Sequence, residues 1–330
     1  MIDNFIPLGF YPTPIHRLNR LSAFYGGDYN IFMKRDDQTG LAIGGNKVRK
    51  LEYLVKDALD KGCDTLVTFG AVQSNHCRQT AAAAAQVGLE CHLILRGAPL
   101  KDLTGNLLLD KLLGAHIHWV KEKEGHDLTL EELGEQLQAQ GKKPYLIPIG
   151  GSNPVGCLGY ARAISEFKQQ LEENALNINY VVFASCSGGT HAGMVIGKEL
   201  YGLPSEIMGI AIEKDEIGNI PFKNQILDIL NGAAPLVNLN KTFTENDVIL
   251  MEGYNEAPYA MVTDMEVNAI NALAKTEGII LDPVYSGRAF AGFLDLLEKR
   301  QFPKGSNILF WHTGGTPAIF HYGKSFEDKE

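Results

Sequence analysis

Gly44-Gly45-Asn46-Lys47-Val48-Arg49-Lys50 carries a glycine pair into an amide and a lysine, and a helix begins at once. Val48, Leu51, Leu54, Val55, Ala58 and Leu59 recur at helical spacing, and Gly62 supplies the stop. Glycine tolerates backbone shapes that other residues reach only at a cost, so Lys47 stands on a loop forced into a particular path. A lysine there is either a solvated surface cation, the usual case for a lone lysine, or a buried amine. The glycine-rich turns that follow, each leading into a helix, weigh toward the buried amine.

Outward from this stretch the chain takes up a regular rhythm. Short apolar runs at residues 65–69, 91–95, 116–120, 145–149, 180–184, 207–212 and 308–311 read as strands. Helical periods at residues 76–87, 103–113, 129–139, 155–171, 191–201, 264–277 and 288–299 separate most of them. Strands alternating with helices of this length predict an α/β protein with open, mostly parallel sheets covered on both faces. Upstream, residues 29–34 alternate weakly and read as one more strand. Gly150-Gly151-Ser152-Asn153-Pro154 is the expected crossing between two domains.

Composition limits the function classes. The 330 residues are 45% hydrophobic and 21% charged, ordinary for a soluble globular chain and long enough for two domains. A formal net charge of -9 without a dense Lys/Arg cluster argues against nucleic-acid partners. Cys63, Cys77, Cys91, Cys157 and Cys186 are scattered without CxxC spacing, which predicts reduced thiols, a cytoplasmic setting and no metal site. No basic stretch followed by an apolar run opens the sequence, and no apolar run reaches membrane-spanning length, so neither a signal peptide nor a membrane partner is expected.

In parallel α/β sheets ligands gather at the carboxyl ends of strands, and polar, glycine-rich loops fall at those positions here. Ser187-Gly188-Gly189-Thr190 joins a strand to a helix. Its backbone N–H groups and the helix dipole suit a phosphate, although a plain tight turn with Thr190 as N-cap reads the same way. It lacks both the GKS/T ending of a nucleotide P-loop and the spacing of a dinucleotide fingerprint. Ser74-Asn75-His76 opens a helix after a strand. Its residues suit an N-cap, and the same free amides can grip a substrate carboxylate. His76 and His191 lie on helix starts with nothing at metal-ligand spacing and read as structural. Asp282-Pro283 is a rigid turn that aims Tyr285, while Tyr259 carries a weaker signal.

GGNKVRK around Lys47, SNHCRQ from Ser74 to Gln79, SGGTHAG from Ser187 to Gly193, DPVYSG from Asp282 to Gly287 and HTGG from His312 to Gly315 occur in one order. Together they resemble the pyridoxal-phosphate-dependent family of D-cysteine desulfhydrase and 1-aminocyclopropane-1-carboxylate deaminase. The resemblance runs from about Pro12 to Thr316, nearly the whole chain. It implies the tryptophan-synthase-β type fold (fold type II), with pyridoxal 5'-phosphate in a cleft between two open α/β domains. Residues 51–157 would form the small domain, inserted between residues 1–50 and 158–330 of the large one. Lys47 would hold the cofactor as a Schiff base, and Ser187, Gly188, Gly189 and Thr190 would take its phosphate. Asn75 would lie near the phosphate or the ring hydroxyl, Ser74 near the substrate, and Tyr285 and Tyr259 along the site. Lys47 is the expected base for the α-proton, with Ser74 or Tyr285 as alternatives from the opposite face.

Within the resembled family two positions matter for the reaction. The deaminases carry a glutamate where this chain has Ser286, and a leucine where it has Thr313. A carboxylate facing the pyridine nitrogen keeps it protonated and deepens the electron sink. A hydroxyl leaves a shallower sink, adequate for a good leaving group at the β-carbon. The expectation is therefore β-elimination from D-cysteine to pyruvate, hydrogen sulfide and ammonia. Alternatives are 1-aminocyclopropane-1-carboxylate deamination, L-cysteate sulfo-lyase activity, or an amino-acid-binding module without turnover. The relatives are mostly homodimers, so a homodimer is expected by resemblance.

Overall fold

In chain order the protein forms β1 (Ile15–Arg17), α1 (Asn19–Phe24) and β2 (Asn30–Arg35), and the glycine pair then leads into α2 (Lys47–Asp60). There follow β3 (Thr65–Ala71), α3 (Asn75–Val87), β4 (Glu90–Arg96), α4 (Gly105–Leu112), β5 (His116–Val120), α5 (Leu130–Ala139) and β6 (Pro144–Leu146). After α6 (Pro154–Glu173) come β7 (Tyr180–Ser185), α7 (Gly189–Tyr201), β8 (Glu206–Ala211), α8 (Phe222–Ala233) and β9 (Ile249–Met251). The last elements are α9 (Asp264–Glu277), α10 (Ser286–Glu298) and β10 (Asn307–His312). These assignments come from a computed structural model that describes residues 2–120, 128–213 and 220–327.

The strands form two sheets, ordered β1-β2-β10-β7-β8-β9 and β5-β4-β3-β6. Pairing is parallel throughout except between β1 and β2. This is the open, mostly parallel α/β architecture that the alternation of strands and helices predicts. The sequence reading missed β1, α1, α8 and β9. β1 and β9 are three residues each, too short to show a period, and each is an edge strand held by one neighbour, β2 and β8 respectively. We propose residues 51–157 as the small domain and residues 1–50 with 158–330 as the large one, a division motivated by which sheet each strand joins.

Each sheet packs a hydrophobic core against both of its faces, as a parallel sheet must. Along β10, Leu309 and Trp311 enter one core with Phe167 and Phe183, while Ile308 and Phe310 enter another with Phe290 and Phe293. Helix α2 serves both units. Val48, Leu51, Leu54 and Val55 pack on the core of the small sheet, and Tyr53 turns into the core of the large one. The first turn of α2 is anchored by a buried ion network. Arg49 donates to Asp36 at the end of β2 and to Glu166 of α6, each at 2.8 Å, and Lys34 also binds Glu166. These charges hold the Asp36 carboxyl far below its usual range despite its burial. The helix that begins at Lys47 is thus fixed at its start from both sides.

Candidate active site

The carboxyl ends of β3, β4, β7 and β10 converge on a cleft of about 410 Å³ between the two sheets. Lys47, the first residue of α2, lines it and is partly buried. Its Nζ donates to Asn46 Oδ1 at 3.3 Å. Burial lowers the Lys47 amine to about 8, with the Cys186 thiol and the Asp282 carboxylate pulling the other way. Asn46 is the junction of the site: its Nδ2 donates to Thr190 Oγ1 at 3.1 Å, and its backbone N–H donates to Thr313 O at 2.9 Å. Three loops that lie far apart in sequence are therefore tied together at Asn46.

The path into Lys47 is strained. Ala42 (φ 42°), Ile43 (φ 69°), Gly44 (φ 67°) and Gly45 (φ 127°) follow one another in the left-handed region. Only the glycines adopt it freely, and an isoleucine there is a genuine outlier. Space requires the pair as well: a Cβ on Gly44 would meet Asp37 O at 2.2 Å, and one on Gly45 would meet Gln79 Nε2 at 2.6 Å. Helix α3 holds the loop in place. The Arg78 guanidinium donates to Ala42 O and, at 2.9 Å, to Gly44 O. Gln79 Oε1 accepts the Val48 N–H at 2.9 Å.

The same helix presents its N-terminus to the cleft. Ser74 is its N-cap, accepting the Cys77 N–H at 3.2 Å, and both Ser74 and Asn75 line the cleft. Asn106 Nδ2 donates to Asn75 Oδ1 at 2.8 Å, which turns the Asn75 amide so that its NH2 is left for other partners. Opposite lies the start of α7. Gly188 has φ +80°, and a Cβ on Gly189 would meet Ser152 Oγ at 2.7 Å and Lys50 Nζ at 2.8 Å. Ser187 and Ser152 share a hydrogen bond of 2.8 Å. Tyr259 and Tyr285 share a hydroxyl–hydroxyl bond at the cleft wall, and burial raises both phenols far above their ordinary range. They are neutral donors or acceptors at ordinary pH.

The structure thus brings Lys47, Ser74, Asn75, Ser187, Gly188, Thr190, Tyr259, Tyr285 and Thr313 to one cleft wall or another. Gly189 backs the wall without lining it. Ser286 departs from the expectation. It is fully buried, and its Oγ donates to Asp282 Oδ1 at 2.5 Å while accepting the Asp282 N–H at 2.9 Å. Asp282 also takes the Val284 and Tyr285 N–H groups, so the Asp-Pro turn organises the start of α10 and aims Tyr285. The Ser286 hydroxyl is spent on that turn and does not line the cleft.

His76 and His191, read as structural, both line the cleft and stay neutral. Burial holds His76 well below its ordinary value and lowers His191 to about 3. Thr68 Oγ1 gives its hydrogen to Ile147 O, so the 2.8 Å contact between Thr68 and His76 Nε2 makes Nε2 the protonated nitrogen. Two further residues escaped the sequence reading. Glu213 lies just past the end of β8 and lines the cleft, where Cys186 Sγ contacts its carboxylate at 3.7 Å. Lys50, three residues after Lys47 on the same helix face, is 1% exposed and, among the described residues, donates to Gly150 O at 3.0 Å and Ser152 Oγ at 3.1 Å. The i, i+3 spacing of the two lysines was the available signal.

These features fit a pyridine aldehyde carrying a phosphate. The Lys47 amine has a lowered pKa, and the Gly188-Gly189 turn permits close approach of backbone N–H groups. Lys50 is a buried amine, pushed well below its ordinary value by burial and by Lys47, whose hydrogen-bond partners are neutral oxygens. A phosphate would supply the missing counter-charge. Two open parallel α/β sheets with such a cleft between them define a pyridoxal-phosphate enzyme of fold type II. A family model described as pyridoxal-phosphate dependent enzyme matches residues 6–314. The 1-aminocyclopropane-1-carboxylate deaminase of Methylobacterium nodulans is 40% identical over 341 residues, covering 99% of this chain and 100% of that one. A crystal structure of an ACC deaminase homologue superposes with a TM-score of 0.86 at 39% identity, over 98% of this chain and 95% of that one. A pyridoxal 5'-phosphate-dependent aspartate racemase shares the fold, with a TM-score of 0.65 at 15% identity, over 93% of this chain and 91% of that one. The chain belongs to the pyridoxal-phosphate-dependent family of 1-aminocyclopropane-1-carboxylate deaminase and D-cysteine desulfhydrase, and its cofactor is pyridoxal 5'-phosphate.

Proposed function

We propose that this chain is a lyase that takes a small α-amino acid, breaks a bond at its Cα and another at its β-carbon, and releases ammonia and a 2-oxo acid. The observation that carries the proposal is the convergence of Lys47, the α3 N-terminus and the α7 N-terminus on one cleft. When bound, the cofactor supplies a sink for the electron pair left on Cα. Lys47 Nζ would be the amine that holds the cofactor aldehyde and, once free of it, the base for the proton the substrate loses. That is the α-proton of a cysteine, or a ring-methylene proton of the cyclopropane amino acid, whose Cα carries no hydrogen. Its lowered pKa suits both tasks. The backbone N–H groups of residues 187–190 would hold the phosphate, and Lys50, whose protonated form the anion would restore, would supply the counter-charge. Ser74 and Asn75 at the α3 N-terminus orient the substrate carboxylate. Tyr285 and Tyr259, kept neutral by burial and hydrogen-bonded to each other, would position the side of the substrate away from Lys47. A cytoplasmic homodimer is proposed on family resemblance alone.

Two substrates meet this description, and each has its own support. Ring opening of 1-aminocyclopropane-1-carboxylate has the more direct support, the full-length likeness to a deaminase of that name. β-Elimination from D-cysteine, the first expectation from the sequence, is supported by Thr313, a hydroxyl in the cleft wall where the deaminases carry leucine. The Ser286 half of that argument is weaker than the sequence suggested, because its hydroxyl is already held by Asp282. A glutamate there would also face a buried carboxylate of like charge.

The deciding experiment measures 2-oxo acid, ammonia and sulfide from 1-aminocyclopropane-1-carboxylate, D-cysteine, L-cysteine and L-cysteate side by side. Faster release of sulfide from D-cysteine than of 2-oxobutanoate from the cyclopropane selects elimination, and the reverse order selects deamination. Thr313→Leu is expected to shift the ratio toward ring opening by about tenfold, which is only about 1.4 kcal/mol of transition-state free energy. No turnover of any of the four by cofactor-loaded protein would overturn the proposal.

A further inference from the structure

Glu90, His92, His116 and His118 share one face of the small sheet, at the opposite ends of the strands from the cleft. The register pairs His92 of β4 with His116 of β5, and Ile94 with His118, so the three imidazoles point the same way. Glu90 is two residues before His92 and joins them. The other face of these strands carries Cys91, Leu93, Leu95, Ile117 and Trp119 into the core beneath α2 and α3. Helix α5 packs over β3 and β6, on the other half of the histidine face.

The side chains converge. The nitrogen and oxygen atoms that Glu90, His92 and His116 can offer a ligand lie within 4.8 Å of one another. The His92 ring stacks on His116 with centroids 4.6 Å apart and on His118 at 5.3 Å. His92 Nδ1 lies 3.0 Å from His118 Nε2. His92 is 8% exposed, and its Nε2 is buried without a hydrogen-bond partner, 3.7 Å from Glu90 Oε2. Glu90 Oε1 is paired with Lys142, which leaves Oε2 as the oxygen that faces the histidines.

We propose that Glu90, His92 and His116 bind a divalent zinc-class ion, with His118 orienting His92 from behind. If His92 gives its one ring hydrogen from Nδ1 to His118, its Nε2 carries a lone pair aimed at a carboxylate oxygen. A buried nitrogen acceptor facing a carboxylate oxygen that is itself exposed is mismatched, and a cation between them resolves it while staying open to water. A ligating histidine held through its second nitrogen is the usual arrangement around zinc. Two imidazoles and a carboxylate suit zinc, nickel or copper better than magnesium or calcium. Bonds of about 2.0–2.2 Å require the ligand atoms to draw closer, by rotation of the exposed His116 and of Glu90, with water completing a tetrahedral shell. The ion would staple the edge strand β5 to β4. Neither the cysteine spacing nor the helix-start histidines His76 and His191 point to a metal, and this cluster exists only once two parallel strands pair in register.

The test titrates Zn2+ into cofactor-loaded, reduced enzyme in competition with a chromophoric chelator. One Zn2+ ion per chain is expected, with affinity reduced at least about tenfold in His116→Ala and in His92→Ala, about 1.4 kcal/mol per factor of ten. A smaller loss is expected in His118→Ala. The melting temperature of the wild type should rise with Zn2+, while that of His116→Ala should not, and turnover without added Zn2+ should be equal in the two. His116 is exposed, so its alanine variant carries the test even where His92→Ala does not fold. Equal Zn2+ affinity in the wild type and His116→Ala, which would place an adventitious ion on the cysteines, overturns the proposal, as does the absence of binding.

Discussion

Replacing Arg78 with methionine should disable the site without touching any residue that lines the cleft. The guanidinium donates to Ala42 O and Gly44 O, two carbonyls within the left-handed run before Lys47. Hydrogen bonds from a charged donor are each worth about 1.5–3 kcal/mol, so the pair supplies about 3–6 kcal/mol. The non-glycine residues held at positive φ, Ala42 and Ile43, each cost about 1–3 kcal/mol, about 2–6 together. The two sums are of the same size, so the loop keeps its path only while Arg78 grips it. Asp110 does not confuse the experiment: burial already pushes its carboxyl up to about 8 against the pull of Arg78, and it becomes neutral when the cation is gone. With the loop relaxed, Lys47 Nζ moves by about 1 Å, a displacement that costs about 100-fold in rate. Arg78→Met is therefore expected to lower kcat/KM by about 100-fold on whichever substrate proves active, to release cofactor faster, and to keep its far-UV circular dichroism. Arg78→Lys, able to reach one carbonyl at a time, should fall between. A folded Arg78→Met enzyme with kcat/KM and cofactor retention within about threefold of wild type would refute the clamp.

Two further outcomes follow from the same geometry. In cofactor-free protein, acylation of Lys47 should inflect near pH 8 and not near 10.5, because burial disfavours its charged form. The native state then holds fewer protons than the unfolded chain between those values, so this group makes stability rise with pH across that window. Peptide mapping of the acylated protein reads the profile, and an inflection near 10 would contradict it. Gly189→Ala places a methyl 2.8 Å from Lys50 Nζ and 2.7 Å from Ser152 Oγ, so the buried Lys50 side chain must shift. Cofactor dissociation, followed by absorbance during dialysis, should be at least about tenfold faster, and unchanged retention would place the phosphate elsewhere.

The sequence by itself determined what depends on near neighbours in the chain. Alternating apolar runs and helical periods set the α/β class, because burial on both faces of a parallel sheet demands them. Gly44-Gly45, Gly188-Gly189 and Asp282-Pro283 announced forced turns, because backbone conformation is a property of the residue itself. The ordered motifs gave the family. Packing decided the rest. The sheet order β5-β4-β3-β6 sets the α3 N-terminus beside the α2 start, so that Arg78 and Gln79 reach a loop more than thirty residues earlier. No local pattern shows that Lys50 is buried against neutral oxygens, that Ser286 spends its hydroxyl on Asp282, or that Glu213 reaches the cleft wall. The pKa of Lys47 and the grouping of Glu90, His92 and His116 are of the same kind. Each depends on which groups packing places within a few ångströms, and on the water it removes, whereas propensity and periodicity describe one segment at a time.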